Sequence, residues 1–429
     1  MKRTAVKNVK PNTEVKISGF VERIRDSKNM IFLVVKDVSG HIQVTLDKQT
    51  QPELCQKTSG IIAGSCVTIT GKANASEFVK MGGIEIIPTE VIIESISEAM
   101  PINESANIDQ RLDYRWIDLR SQKNTLIFKV QTLFTQSMRE FLLKQNFIEM
   151  HSPKIISTPS ESGADMFELD YFGGKAYLAQ SPQFYKQMAM ASGFEKVFEV
   201  GPVFRAEKSF TSRHTTEFTG FDVEFSYVKS HKEIMVLEEK MLVYALSKIK
   251  KQYGEEIKAQ FNVDVVVPTL PFPRVSMKDS YDILRENGIN IKNGDDFDIE
   301  SERVLTEHFK KQTGHEFLFV YDYPAKIRAF YHMRSNGGKI SKSYDLYWKG
   351  LEITTGAQRE HRYEILKMQA LKKGLTLNNI QFYLDFFRYG CPPHGGFGMG
   401  LDRLTMLVLN IQTIKEAMYI FRGPTRLKP

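Results

Sequence analysis

The stretch FRAEKSFTSRHTTEF, residues 204–218, places basic side chains and two glutamates between phenylalanines. Runs of charge like this one are usually solvated faces, so an exposed surface is one interpretation of the stretch. The other interpretation is a binding site for a charged ligand that also contacts an aromatic ring. The rest of the chain has to decide between the two.

The composition is that of an ordinary globular protein, with 42% hydrophobic and 25% charged residues, which excludes a disordered chain. A chain of 429 residues is long enough for two or three domains, each with a sizeable core. The net charge of +7 favours a polyanionic partner, although the charge is spread along the whole chain.

The cysteines point to a reducing compartment. Cys55, Cys66 and Cys391 form neither a CxxC pair nor a His/Cys spacing typical of metal sites, so we expect free thiols. The N-terminal sequence MKRTAVKNVKP lacks the apolar core of a signal peptide, and no run approaches the roughly 20 apolar residues of a membrane span. These features predict a soluble cytoplasmic protein.

Residues 1–105 are predicted to form a five-stranded barrel of the oligonucleotide-binding (OB) type. Five β-rich runs, separated by glycine-containing turns, follow one another here: EVKISGFVERIRD, MIFLVVKD, HIQVTLD, SCVTITGKA and GIEIIPTEVIIESI. Phe32 and Gln43 lie on neighbouring predicted strands, where such barrels present a binding face. The alternative for Phe32 is a place in the barrel core.

Residues 106–125 lose the strand pattern and become polar and basic, which indicates a hinge. An amphipathic helix follows, with apolar residues at positions 126, 127, 130, 133, 134, 138, 141 and 142. A strand ended by Pro153 comes next, in a place typical of a sheet edge. Short β-like runs between 165 and 228 predict consecutive antiparallel strands with one helical insert. We therefore predict an α+β domain over 126–429, built on an antiparallel sheet with flanking helices.

Two further stretches carry candidate chemistry. In DLYWKGLEITTGAQRE, residues 345–360, two carboxylates and a hydroxyl form an oxygen set suited to Mg²⁺, although an exposed acidic surface is the alternative. In GGFGMGLDR, residues 395–403, the glycines would let the backbone approach a ligand, with Arg403 in the first turn of the next helix. This stretch lacks the ending of a Walker loop, and an ordinary strand-to-helix turn is the alternative.

Taken in order along the chain, these stretches resemble the three motifs of the class II aminoacyl-tRNA synthetases. Motif 1 would span 126–153, motif 2 would span 204–218 and motif 3 would span 395–403. The resemblance implies a class II catalytic domain, a homodimer, and Arg205 and Arg403 as the catalytic cations on the phosphates of ATP. The implied ATP-binding residues are Arg205, Glu207, Arg213, His214, Phe218, Glu352 and Arg403. The implied Mg²⁺ ligands are Asp345, Glu352 and Thr355.

The resemblance narrows to the aspartyl members of this family, of archaeal and eukaryotic type. It is carried by LAQSPQFYKQ, FEVGPVFRAE, TEFTGFDVEF and TTGAQREH. The implied L-aspartate pocket consists of Ser160, Glu161, Gln183, Lys186, Asp222, Thr355 and Arg359. The implied anticodon-binding residues of the barrel are Phe32, Gln43 and Glu85. The expected substrates are ATP, L-aspartate and tRNA-Asp, with tRNA-Asn as a second acceptor that the sequence leaves open.

Lys186 and Arg359 favour aspartate, because asparagine in their place would leave two cations uncompensated. An asparaginyl-tRNA synthetase and a synthetase-fold paralogue with a different acyl acceptor are the alternatives. The predicted barrel argues against such a paralogue. A non-catalytic nucleic-acid-binding protein is a third alternative, against which the presence of Arg205, Glu352 and Arg403 argues.

Overall fold

The computed structural model describes residues 1–80, 82–103, 105–158, 165–208 and 211–429. The chain divides into two compact units, Met1–Thr125 together with Pro429, and Leu126–Lys428. Within the described residues, no helix is long and apolar enough to cross a membrane.

The first unit contains a closed five-stranded barrel, as predicted. Its strands are β1 (Thr13–Asp26), β2 (Met30–Asp37), β3 (Gly40–Asp47), β4 (Cys66–Ala75) and β5 (Ile84–Ser95). They close in the order β1-β2-β3-β5-β4, and helix α1 (Pro52–Thr58) connects β3 to β4. Each strand matches one of the β-rich runs of the sequence to within a few residues.

The alternation along β2 fixes which side chains fill the barrel. Leu33 and Val35 are fully buried in its core, whereas Phe32 and Val34, which alternate with them, are half-buried on the outer face. Phe32 therefore does not belong to the barrel core, and the core alternative for this residue is wrong.

The predicted hinge is helical rather than irregular. It contains α2 (Ile108–Asp113) and α3 (Arg115–Asp118). Asn107 caps α2 in a reciprocal pair with Gln110, and the carboxylate of Asp118 binds the guanidinium of the fully buried Arg115. These contacts supply the order that the polar composition did not reveal.

The second unit is built around an eight-stranded sheet. Its strands are β6 (Ile148–Glu149), β10 (Lys196–Phe204), β11 (Glu217–Ser226), β12 (Arg274–Ser276), β13 (Phe317–Tyr321), β16 (Ser343–Trp348), β17 (Leu351–Gln358) and β18 (His394–Gly400). The order is β12-β13-β16-β17-β18-β11-β10-β6, antiparallel except for the two outermost pairs, which are parallel. The mainly antiparallel sheet confirms the predicted α+β class.

Two long helices share the largest core with this sheet. They are α4 (Gln122–Leu143), which the apolar spacing predicted, and α6 (His231–Phe261). Phe134 and Met138 of α4 and Leu242 of α6 are fully buried together with Phe221 and Phe397 of the sheet. This packing leaves the opposite face of the sheet available for a site.

The predicted run of consecutive strands between 165 and 228 is divided between two sheets. Strands β8 (Glu168–Tyr171) and β9 (Gly174–Leu178) pair with β7 (Ile155–Ile156) in a separate three-stranded sheet. Only β10 and β11 join the large sheet, and α5 (Gln183–Ala191) is the predicted helical insert. The strand near Pro153 shortens to β6, at an edge of the large sheet as expected.

The remaining elements surround the sheet. They are α7 (Met277–Glu286), α8 (Ile299–Thr313), β14 (Arg334–Ser335), β15 (Ile340–Ser341), α9 (Tyr363–Lys372), α10 (Leu377–Arg388), α11 (Leu401–Val408) and α12 (Ile414–Ala417). Strands β14 and β15 form a hairpin of their own.

Candidate functional site

A cavity of about 450 Å³ in the second unit brings the three chemically informative stretches together. The predicted site residues that line it are Gln183, Lys186, Arg205, Glu207, Arg213, His214, Phe218, Asp222, Glu352, Thr355, Arg359 and Arg403. Ser160 and Glu161, which the sequence predicted for the same pocket, lie outside the described residues. The charged run therefore supplies part of the cavity wall, through Arg205, Glu207, Arg213, His214 and Phe218.

Strand register explains why residues so far apart in sequence meet. Gly398 of β18 lies opposite Asp222 of β11 on one side and opposite Thr355 of β17 on the other. A Cβ on Gly398 would come within 2.8 Å of the Asp222 carboxylate, so only glycine leaves this part of the cavity floor open. The glycine-rich stretch is thus a central strand, and the turn into α11 comes after it.

Three arginines form one group of cations in the cavity, here called the arginine cluster: Arg205, Arg213 and Arg403. The guanidinium of Arg205 lies 5.3 Å from the ring centre of Phe218, and its buried Nε has no acceptor among the described residues. Arg403 donates to the backbone oxygen of Glu352 at 2.7 Å. Such a half-buried, partly unsatisfied cluster is suited to a polyanion.

The arginine cluster also acts on the ionisable groups around it. Burial lowers the pKa of His214, and the three arginines lower it further against the opposing charge of Glu207. Glu302 of α8 lies 3.6 Å from the guanidinium of Arg213. The sequence analysis did not single out Glu302, because nothing in its own helix indicates a partner almost ninety residues earlier in the chain.

Helix α11, which carries Arg403, is fixed by the buried carboxylate of Asp402. That carboxylate accepts from the backbone N–H of Thr219 and from Gln131 Nε2, both at 3.0 Å. These hydrogen bonds connect α11 of motif 3 to β11 of motif 2 and to α4 of motif 1. They therefore hold Arg403 in position relative to Arg205.

The predicted oxygen ligands for a metal are only partly at the cavity. Glu352 and Thr355 line it, and the Thr355 hydroxyl donates to Glu352 Oε1 at 3.1 Å. Asp345 lies opposite Thr355 on β16, but both of its carboxylate oxygens bind Arg328, and it does not line the cavity. We therefore leave Asp345 out of the candidate metal ligands. The sequence analysis included it because nothing in the sequence reveals Arg328 as its partner.

Glu352 is in an environment that would favour a bound cation. Burial and the neighbouring charge of Asp345 raise the pKa of Glu352 to about 7, against the opposing charges of Arg403 and Arg328. No cluster of three or more His, Cys, Asp or Glu side chains in the described ranges could hold a metal by itself. The residues fit Mg²⁺, which takes few protein ligands and completes its shell with phosphate oxygens and water.

A second group of cations consists of Lys186 and Arg359, here called the Lys186–Arg359 pair. Lys186 Nζ donates to Asp222 Oδ1 at 3.0 Å and lies 3.5 Å from Glu224 Oε2. Arg359 Nε donates to Glu224 Oε1 at 3.0 Å. Both cations thus have acid partners within the protein, and the premise that asparagine would leave them uncompensated is wrong.

Glu224 is a site residue that the sequence analysis missed. It is fully buried, and burial alone would raise its pKa, but the charges of Arg359 and Lys186 outweigh that effect and lower the pKa. Side chains two residues apart on a strand point to the same face. The period-two spacing from Asp222 was therefore the signal that could have found Glu224.

A buried polar network lies beside this pair and fixes the first turn of α5. Gln183 Nε2 donates to Gln187 Oε1 at 2.9 Å, and the Tyr383 hydroxyl donates to the same oxygen at 3.0 Å. Gln187 Nε2 lies 3.0 Å from His394 Nε2. Because every member is buried and bonded, the network holds α5, and with it Lys186, in one arrangement.

The barrel has a candidate site of its own on its outer face. Gln43 Nε2 and Thr45 Oγ1 both donate to Glu85 Oε2, at 3.3 and 2.5 Å. Phe32 lies opposite Thr45 in the β2–β3 register, and the guanidinium of Arg25 lies 4.3 Å from its ring centre. The structure therefore gathers the three predicted anticodon-binding residues on one surface.

Comparison with known families identifies both parts of the chain. Residues 107–421 match the tRNA synthetases class II (D, K and N), and residues 15–94 match the OB-fold nucleic acid binding domain. The first match covers more than half of the chain and includes every cavity residue described above.

The chain is similar along its whole length to curated proteins. It is 40% identical to the aspartate–tRNA(Asp) ligase of Picrophilus torridus, covering 100% of both chains. It is 38% identical to the aspartate–tRNA(Asp/Asn) ligase of Methanopyrus kandleri, covering 97% of this chain and 96% of the other.

Solved structures of two specificities resemble the chain. The asparaginyl-tRNA synthetase of Pyrococcus horikoshii with asparaginyl-adenylate gives a TM-score of 0.92 at 33% identity, covering 100% of both chains. The aspartyl-tRNA synthetase of Entamoeba histolytica gives 0.89 at 33% identity, covering 100% of this chain and 93% of the other. The chain therefore belongs to the class II tRNA synthetases of the D, K and N group.

Proposed function

We propose that this chain is an aspartate–tRNA ligase, which activates L-aspartate with ATP and transfers the aspartyl group to tRNA. The observation that carries the proposal is the single cavity that holds both the arginine cluster and the Lys186–Arg359 pair. Two separate groups of cations suit two anionic substrates, a triphosphate and a dicarboxylic amino acid.

The first step needs no side-chain base, because the α-carboxylate of aspartate is already ionised. It attacks the α-phosphorus of ATP, the bond from that phosphorus to its bridging oxygen breaks, and pyrophosphate leaves. A hydroxyl of the terminal adenosine of tRNA then attacks the acyl carbon, and AMP leaves. The task of the protein is to position the substrates and to stabilise negative charge.

We assign the triphosphate to the arginine cluster. Arg205 would bind the α-phosphate, Phe218 would stack on the adenine, and Arg403 would bind the far phosphate. Glu207 and His214 complete this part of the cavity wall. Mg²⁺, held by Glu352 and Thr355 when it is bound, would supply further positive charge against the phosphates.

We assign the amino acid to the Lys186–Arg359 pair, with Gln183, Asp222 and Thr355 around it. Lysine and arginine only donate hydrogen bonds, which suits the acceptor oxygens of a carboxylate. The names of the full-length relatives support aspartate as the substrate. Because Asp222 and Glu224 balance the two cations, the choice of aspartate must depend on where the donors point rather than on a net positive charge.

Asparagine is the second candidate substrate, for a specific reason. The carboxylates of Asp222 and Glu224 are acceptors that could receive the amide N–H groups of asparagine. The similar solved structures include asparaginyl enzymes, so the likeness of fold does not choose between the two amino acids.

We propose that the outer face of the barrel binds the anticodon: a base would stack on Phe32, Gln43 would donate and accept hydrogen bonds, and Glu85 would accept them. The relatives' names include both tRNA(Asp) and tRNA(Asp/Asn) ligases. Aminoacylation of purified tRNA-Asp and tRNA-Asn with aspartate tests the whole reaction. We expect tRNA-Asp to be charged, and failure to charge it would contradict the proposal. Charging of tRNA-Asn shows whether the enzyme accepts one tRNA or both.

We also propose a homodimer, although α4 already has a place in the core of its own chain. The support is β6, at which the large sheet ends among the described strands. Its own Ile148 is exposed, as is Leu143 shortly before it in the chain. Light scattering at micromolar concentration should give twice the 49.3 kDa chain mass, and a value of 49.3 kDa would refute the dimer. The cytoplasmic location stays a prediction from the sequence.

A further inference from the structure

One histidine on the cavity wall has no place in the assignments above. His332 lines the cavity, and its side chain is almost entirely buried at 4% exposure. It follows β13 in a loop that leads to the β14–β15 hairpin, in a segment where the sequence showed no motif. Neither its burial nor its neighbours could be read from the local pattern.

The backbone aims His332 toward the Lys186–Arg359 pair. His332 forms an antiparallel bridge with Arg359, flanked by bonds from Met333 N to Gln358 O and from Glu360 N to Tyr331 O, both at 2.9 Å. Residues directly opposite in an antiparallel pair carry their side chains on the same face, about 5 Å apart at Cβ. The imidazole and the Arg359 side chain therefore start from neighbouring points on one face.

The contacts of the ring leave one nitrogen for a ligand. Nδ1 lies 3.4 Å from the hydroxyl of the buried Ser341, and within the described residues Nε2 has no hydrogen-bond partner and the ring pairs with no carboxylate. Burial, and then the charges of Arg359, Arg328 and Lys186, keep the pKa of His332 well below its ordinary value. The Ser341 hydroxyl can donate to Nδ1, and in that tautomer the neutral imidazole carries its proton at Nε2 and is a donor there.

We propose that His332 is a third binding residue for the amino acid, whose Nε2–H donates to the side-chain carboxylate of aspartate. The inference rests on the proposed function, because it needs aspartate to occupy the Lys186–Arg359 pair. Lys186 and Arg359 already donate to Asp222 and Glu224, so they offer a ligand only part of their hydrogen bonds. A neutral donor adds a contact to the carboxylate without the desolvation cost of another buried charge.

Aspartate-dependent ATP–pyrophosphate exchange tests this contact in three variants. H332L removes the donor at similar volume, and it should raise the KM for aspartate by roughly tenfold or more, the scale of one hydrogen bond to a charged group. H332Q keeps an N–H donor and should recover most of that loss. H231L, at another buried histidine that does not line the cavity, is the matched control and should leave the KM for aspartate unchanged.

The pattern across substrates separates a binding role from a structural one. The KM for ATP should stay within about twofold in H332L. Competitive inhibition by asparagine, which has an amide in place of the side-chain carboxylate, should weaken less than aspartate binding does. A folded H332L with a normal KM for aspartate would overturn the inference, as would equal losses for ATP and aspartate. If H332L does not fold, H332N takes its place in the experiment. The shorter amide of asparagine should not reach the ligand, so H332N should bind aspartate less tightly than H332Q does. If the wild-type chain shows no exchange with aspartate, the proposed function itself fails.

Discussion

Arg205 carries a hydrogen-bond donor that a bound ligand would satisfy. Its Nε is buried without an acceptor among the described residues, and a buried donor in that state costs about 1–3 kcal/mol. A phosphate oxygen would satisfy it. Arg403, by contrast, is held by Glu352 and by the contacts of Asp402, so it is ready for a ligand before the ligand arrives.

Replacing either Arg205 or Arg403 by alanine should reduce aspartate-dependent pyrophosphate exchange by a factor of about 10²–10³, the scale for losing one charge-stabilising donor. The exposed Arg388 of α10 provides the control, since R388A should exchange normally. Exchange close to the wild-type rate in both R205A and R403A would show that these arginines do not bind the triphosphate.

Lys186 should determine which amino acid is accepted. K186M removes a donor to the side-chain carboxylate, so exchange with aspartate should fall far more than exchange with asparagine. The variant also leaves Glu224 and Asp222 with fewer partners, so thermal unfolding has to be measured beside the kinetics. K154M is matched to it, because Lys154 pairs with the buried Glu199 but does not line the cavity. An equal loss with both amino acids would make Lys186 a structural residue.

Local periodicity in the sequence predicted several of the helices and strands. The five barrel strands and α4 follow from alternation and helical spacing within a few residues, whereas the glycine-rich stretch before Arg403 proved to be a central strand. The partners of buried charges do not follow, because Arg328 is far from the motifs and nothing in its own segment marks it as the partner of Asp345. The sequence likewise does not reveal the partner of Glu302, the place of His332 on the cavity wall or the sheet to which β8 and β9 belong.

The contact between α6 and β16 should make stability depend on pH. Burial raises the pKa of Glu238 to about 8, although the Tyr344 hydroxyl donates to its carboxylate at 2.7 Å. Between the ordinary glutamate pKa and about 8 the folded chain holds this proton and the unfolded chain does not, so its contribution to stability is lost as pH rises through that range.

E238Q keeps the shape of the side chain without the titration, so its melting temperature should fall less than that of the wild type between about pH 6 and pH 9. E255Q, at an exposed position of the same helix, should follow the wild-type curve. Identical pH slopes in E238Q and the wild type would show that Glu238 is not the group responsible.

The two units should serve different halves of the reaction. All described residues assigned to ATP and aspartate belong to the second unit, whereas Phe32 and Gln43 belong to the first. Adenylate formation should therefore not need the barrel face, and transfer to tRNA should.

The double variant F32A/Q43A should leave pyrophosphate exchange nearly intact and lower aminoacylation of tRNA-Asp at least about tenfold, the scale of losing one stacked base. Its melting temperature should stay close to that of the wild type, because Phe32 lies outside the barrel core. A folded variant that charges tRNA-Asp normally would remove the anticodon role of this face.

The most direct test of the proposed function is ATP–pyrophosphate exchange by the wild-type chain with aspartate and with asparagine, measured side by side at equal concentrations. The cavity, with Lys186 and Arg359 as donors for a carboxylate and the arginine cluster for the triphosphate, predicts rapid exchange with aspartate. With asparagine, the rate should be lower by roughly tenfold or more, the scale of losing one hydrogen bond to a charged group. Exchange with asparagine that equals or exceeds exchange with aspartate would contradict the assignment of this chain as an aspartate–tRNA ligase.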